Sequence, residues 1–80
     1  MTRFFFHLRT DRQLAEDEEG LELPDLDAAR EEANASAREM LAEAIKMGHD
    51  EAPDAVLVFD DRGNQLYEIV LAALLPKSRN

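Results

Sequence analysis

The side chains that could do chemistry are two histidines, His7 and His49, and two acidic groups, Glu16-Asp17-Glu18-Glu19 and Asp50-Glu51 with Asp54. Carboxylates set close together could hold a divalent cation. A calcium loop, however, alternates its oxygen ligands and fixes the turn with glycine, as in D-x-[DN]-x-[DN]-G with a distant Glu. Four consecutive acids ahead of Gly20 do not supply that geometry, so the run reads as a solvated loop of mutually repelling charges. His7 and His49 fall in different elements, and neither has a placed partner that would make it a base or a ligand. Ser36 lies outside any G-x-S-x-G pattern, and the glycines at 20, 48 and 63 are too scattered to form a phosphate loop. With no cysteine, disulfides and thiolate metal sites are both excluded. The residues argue for a protein that is not an enzyme and carries no cofactor.

Charge narrows the partners. Against 18 acids there are 9 bases, a net charge of −9, and such a surface repels a phosphate backbone. Arg3, Arg9, Arg12, Lys77 and Arg79 lie near the ends, without the interleaved aromatics of a nucleic-acid platform. Direct nucleic-acid binding is therefore not expected. The opening apolar run, Phe4-Phe5-Phe6, is far shorter than a signal core of about 7–15 residues or a membrane span of about 20. A cytoplasmic protein with no membrane association is the expectation, and the lack of cysteine agrees with a reducing compartment.

The elements that must position these residues follow from periodicity. Residues 3–9, RFFFHLR, alternate, with Phe4, Phe6 and Leu8 on one face and Arg3, Phe5, His7 and Arg9 on the other. That is a half-buried strand. Leu14 and Ala15 can pair briefly with it, and residues 20–23 form a short edge strand after Gly20. Pro24-Asp25 marks a helix start, since proline keeps Leu23 extended and the Asp25 carboxylate can cap the first turn. From there a 100° step gathers Leu26, Ala29, Ala33, Ala37, Met40, Leu41, Ala44 and Met47 into one stripe, which predicts a helix over 25–47. Gly48 suits its C-terminal end. Ala28, Ala35 and Ala42 fall seven apart on the back and read as helix formers on an exposed face. Residues 55–60 and 65–71 read as a hairpin around Asp60-Asp61-Arg62-Gly63-Asn64. Residues 72–75 either extend that strand or make a helical turn before Pro76, and 76–80 read as a frayed tail.

The expected fold is one α+β domain over residues 1–80. It has two layers: an antiparallel sheet of three to four strands in ββαββ order, covered on one face by a single long helix. The alanine stripe lets that helix sit close, leaving Phe4 and Phe6 to fill the layer. Both parities of the 55–59 and 66–71 strands are apolar, and one helix covers one face only. The second face, with Phe5, His7, Tyr67 and Ile69, is then the expected interface, closed by the LAALL segment or by a second copy. A homodimer or another protein partner is the expected occupant.

Several segments together resemble a family of short bacterial proteins classed only as a domain of unknown function. They are the opening RFFFHLR, the D-E-E-G at 17–20, the E-L-P-D-L-D-A-A-R at 22–30 and the VFDDRGNQL at 58–66. The resemblance covers residues 3–71, with the tail from Ala72 less typical, and implies no activity or catalytic residue. A looser similarity, over residues 3–47, is to HicB-type antitoxin domains, which also run strand, acid–Gly, strand, P-D-L, helix. It implies a regulatory binder of a basic partner, though the DNA-binding region such antitoxins carry is lacking. A small metal-dependent or ligand-binding protein is the third alternative.

Overall fold

The computed structural model describes residues 1–11, 13–48 and 52–75. His49, Asp50 and Glu51, and the tail 76–80, lie outside the described residues, so the expectations attached to them stay with the sequence. Strand β1 spans Thr2–Thr10, β2 Gln13–Ala15, β3 Leu21–Leu23, β4 Ala55–Phe59 and β5 Gln65–Val70, with helix α1 at Leu26–Met47 between β3 and β4. The fold is α+β in two layers, a helix on an antiparallel sheet of five strands. That is one strand beyond the expected three to four, because Gln13–Ala15 pairs stably enough to count. Residues 71–74 form a 3-10 turn, which settles the alternative left open for that segment.

β1 and β4 are the central strands, and β5 lies beyond β4. On its other side β1 is paired twice, by β2 opposite residues 8–10 and by β3 opposite residues 2–4. The two short strands thus act as one edge, interrupted between residues 16 and 20.

Helix α1 begins as the sequence implies. The Asp25 carboxylate accepts the Ala28 N–H at 2.9 Å, and Gly48 ends the helix with a left-handed φ of 71°. A cap of the Asp25 kind contributes about 1 kcal/mol. Ala29, Ala33 and Ala37 are fully buried against the sheet, and Phe4, Val56, Val58 and Leu71 complete the core. Phe6, Leu8, Tyr67 and Ile69 pack around it. The expected complementarity holds here: small side chains on the helix, large ones on the sheet.

The helix lies chiefly over β4 and β5 rather than over β1. Phe6 and Leu8 are consequently only half-covered, and with Val56, Ser36, Glu39 and Met40 they line an open groove of about 330 Å³. At about 33 Å for 22 residues the helix also outruns the short strands. Its last turn projects, with Ile45 65% and Met47 56% exposed. The 3-10 turn packs on this same side, with Leu71 in the core and Leu74 against it. The LAALL segment therefore does not fold over the second face.

Candidate functional site

The second face is closed more fully than its sequence implies. Register places Phe5 opposite Phe59, His7 opposite Leu57 and Arg9 opposite Ala55, with Glu68 on the far side of Leu57. The Arg9 Nη2 donates to the Glu68 carboxylate at 2.8 Å. These two residues sit on β1 and β5, about 10 Å apart, so their ion pair spans β4. The His7 ring meets the Phe59 ring at a centroid distance of 4.7 Å. Beneath these contacts Ala55 is fully buried and Leu57 only 6% exposed. The strand is buried on both sides, but its own neighbours cover the second one.

Phe5 and His7 lie together on this face, half-buried. Tyr67 and Ile69 do not join them. Counting outward from Phe59 opposite Gln65, a regular hairpin would set Tyr67 beside Leu57 and Ile69 beside Ala55, on the same face as His7. The observed register instead pairs Val58 with Tyr67 and Val56 with Ile69, leaving Leu66 as an extra residue. A bulge of one residue turns every later side chain of the strand to the opposite face. Tyr67 and Ile69 therefore pack toward the helix. The Tyr67 hydroxyl donates to Asn34 Oδ1 at 3.0 Å, and the Arg30 guanidinium lies 5.2 Å from its ring centroid. The residue sequence reasoning missed is Glu68, which takes the place expected for Tyr67. A signal for it was present, since charge at 68 between apolar 67 and 69 suits an outward position.

The acidic run is not simply solvated. Asp17 Oδ2 accepts the Phe6 N–H at 3.1 Å, and its Oδ1 accepts the N–H groups of Gly20 at 3.1 Å and Glu19 at 3.2 Å. The Asp17 N–H donates to His7 Nδ1 at 2.9 Å, which requires a neutral imidazole with its proton on Nε2. Arg3 donates to the Glu19 carbonyl at 2.6 Å and to the Glu22 carboxylate at 2.9 Å. Asp17 thus completes the pairing of β1 where β2 and β3 leave a gap. Partial burial would raise its carboxyl, but the N–H groups of Phe6, Gly20 and Glu19 outweigh that and hold it below its ordinary 3.8. Because the folded value is depressed, its contribution is present above the unfolded value and is lost as pH falls through the lower, folded one. Asp17→Ala is expected to lower stability by about 2 kcal/mol, since it leaves a half-buried N–H unpaired. The loss should shrink as the pH drops below about 4. Urea titrations at neutral and acid pH check this, and a pH-independent loss would contradict it.

Asp54 is similarly engaged, its Oδ2 accepting the Asp11 N–H at 2.7 Å. Asp60 accepts from the Arg62 and Asn64 N–H groups and so pins the β4–β5 turn. Among the described residues no three metal-ligating side chains converge. Ser36 lines the groove beside Phe6. No described helix is long and apolar enough to cross a membrane.

The remaining feature is the outer edge of β5. Antiparallel pairing alternates between residues that bond to one neighbour and residues that bond to the other. The Leu71 N–H donates to the Asp54 carbonyl at 2.9 Å, so Ile69 and Tyr67, two and four residues back, bond inward to β4. The backbone groups of Glu68 and Val70 then point away from the sheet. The same alternation, carried across β4 to β1, points the Phe6 N–H away from β4, where it meets Asp17. Among the described residues β5 is paired along one side only. Beside its free groups stand Leu66, 38% exposed, and Val70, 39% exposed.

The two edges of the sheet are therefore unlike. One is broken into three-residue strands and plugged by a carboxylate, and the other is six residues long, without proline, and among the described residues no loop covers it. Searches of curated proteins and of solved structures each returned no match, and neither adds to the looser likeness to HicB-type antitoxin domains. The family model described as Domain of unknown function (DUF6894) matches residues 3–72, and the chain belongs to that family.

Proposed function

We propose that the protein is a non-enzymatic interaction module that binds an extended segment of a partner along the outer edge of β5. The observation that carries this reading is the pair of outward-facing backbone sites at Glu68 and Val70, flanked by half-exposed apolar side chains. A strand added there gains main-chain hydrogen bonds, and alternate side chains supply selectivity. Proteins that stay monomeric blunt such edges with proline, inward charge or short strands. The β2/β3 edge has that protection, and among the described residues β5 has none.

The reading as a binder rather than an enzyme rests on what the best chemical candidates do instead. Asp17 and His7 hold the 16–20 loop, Asp54 holds the β1–β2 turn, and Asp60 holds the β4–β5 turn. Each has a structural partner set that a catalytic role would have to break.

Selection of strand-forming peptides from a random library on the full chain tests the reading. Val70→Pro is the discriminating variant. It removes an N–H that β4 does not use, and the Val70 φ of −84° is close to the proline value. Selected peptides should bind the native chain and lose about tenfold or more in affinity for the variant. Peptides that bind both chains equally would place the docking surface elsewhere and overturn the proposal.

A further inference from the structure

Resting on that reading, we infer that the strand accepted by β5 belongs to a different chain and is apolar and basic. It carries β-branched residues opposite Leu66, Glu68 and Val70 and a lysine or arginine opposite Tyr67. Two independent features lead there: the charge around the edge, and the poor fit of β5 to itself.

Asp27, Arg30, Glu31 and Asn34 of α1 line an open polar cleft of about 260 Å³, and two of them, Arg30 and Asn34, are the residues that meet Tyr67 of β5. The cleft's single guanidinium is already engaged. Arg30 lies over the Tyr67 ring and 3.8 Å from Asp27. Asn34 accepts the Tyr67 hydroxyl. Glu31 is exposed and makes no ion pair among the described residues. A side chain opposite Tyr67 on an added strand would enter this cleft, and a cation there would meet a carboxylate without a partner. On the other side of the sheet Glu68 is already paired with Arg9. What that side offers an added strand is Leu66 and Val70, which suit β-branched neighbours. The net charge of −9 adds a long-range attraction for the same partner.

A second copy meets obstacles in every register. Antiparallel partners must share a face, so a two-fold axis through β5 can fall only on Tyr67, Glu68 or Ile69. Centred on Glu68, it sets two carboxylates directly opposite, about 5.5 Å apart between Cα atoms, which is destabilising. Centred on Ile69, it pairs Glu68 with Val70 but sets Leu66 against Ala72, inside the 3-10 turn at Leu71–Leu74. Centred on Tyr67, it runs Val70 onto Asn64 in the turn and Leu66, the bulge residue, onto Glu68. Only the Ile69 register meets both outward sites, and it is cut short on one side by the 3-10 turn that starts at Leu71. Two chains of charge −9 also repel.

The test uses two capped peptides, Thr-Val-Lys-Val-Thr-Val-Thr and the same sequence with glutamate for lysine, titrated into the full chain with backbone amide shifts as readout. The lysine peptide should shift Glu68 and Val70 and bind about tenfold more tightly than the glutamate peptide at low salt, with the gap closing as salt is raised. Glu31→Lys, an exposed change, should reverse the preference. Val70→Pro should abolish both titrations while leaving the remaining amide shifts in place, which shows that it folds. Equal binding of the two peptides at β5 would overturn the inference about charge and leave strand docking standing. Concentration-dependent protection of Glu68 and Val70 without peptide, with a dimer by light scattering, would make the second copy the occupant and overturn it also. Titrations unchanged by Val70→Pro would instead remove the docking reading itself.

Discussion

Phe4→Ala is expected to lower stability by about 3–5 kcal/mol, a large part of the 5–15 kcal/mol typical of whole domains. Phe4 is 3% exposed and is the one large aromatic side chain fully inside the layer between helix and sheet. What faces that layer from the helix is alanine at 29, 33 and 37, all fully buried. Alanine has no side-chain torsion with which to fill a space left behind. The helix backbone would have to move instead, and its N-terminal end is held by the Asp25 cap and by Tyr67 on Asn34. Poor collapse is the condition under which a large-to-small change costs most. Phe6→Ala supplies the contrast, because Phe6 borders the open groove, where water can replace the ring. It should cost distinctly less. Urea denaturation of both variants gives the comparison. Equal losses would mean that the groove is closed in solution, and a Phe4 loss below about 1.5 kcal/mol would mean that the helix resettles freely.

Gly20→Ala should cost about 2–4 kcal/mol, far more than the same change at either other glycine. All three take a left-handed backbone, with φ of 73° at Gly20, 71° at Gly48 and 85° at Gly63. That conformation alone costs a residue with a Cβ about 1 kcal/mol or somewhat more. Gly48 and Gly63 have open space around the added carbon, so they report the backbone term alone. At Gly20 a Cβ would lie 2.9 Å from the Phe4 carbonyl oxygen, 2.9 Å from Phe5 Cε2 and 2.8 Å from Arg3 Cγ. Arg3 could yield only by disturbing its bonds to Glu19 and Glu22, and the Phe4 carbonyl belongs to the β1–β3 ladder. The Gly20 N–H also donates to Asp17, so displacing it loosens the carboxylate that fills the edge of β1. Thermal or urea unfolding of the three alanine variants separates the terms. Similar losses at all three sites would remove close packing as the reason for glycine at position 20.

Most elements and their local punctuation were legible in the residues. The 3.6-residue period, Asp25 ahead of it and Gly48 after it mark the helix, because each of those signals acts within a turn or two of chain. The alternation of RFFFHLR separates Phe4 and Phe6 from Phe5 and His7, and the Asp60–Asn64 segment forms its turn from its own side chains. The alanine stripe even anticipates the thinness of the layer. These are short-range properties, and the chain carries them by itself.

What the tertiary structure decided has a different range. Arg9 and Glu68 are 59 positions apart, and nothing near either residue announces that they meet over β4. Asp17 reads as one charge in a run of four until Phe6, Glu19 and Gly20 turn their N–H groups onto it. Above all, a single extra residue at Leu66 sends Tyr67 and Ile69 to the helix and brings Glu68 to the face they were expected to occupy. When both parities of a strand are apolar, its sequence fits either face nearly equally well. The choice then falls to packing: toward the helix the Tyr67 hydroxyl finds Asn34 and its ring finds Arg30, while on the other face Arg9 finds the Glu68 carboxylate.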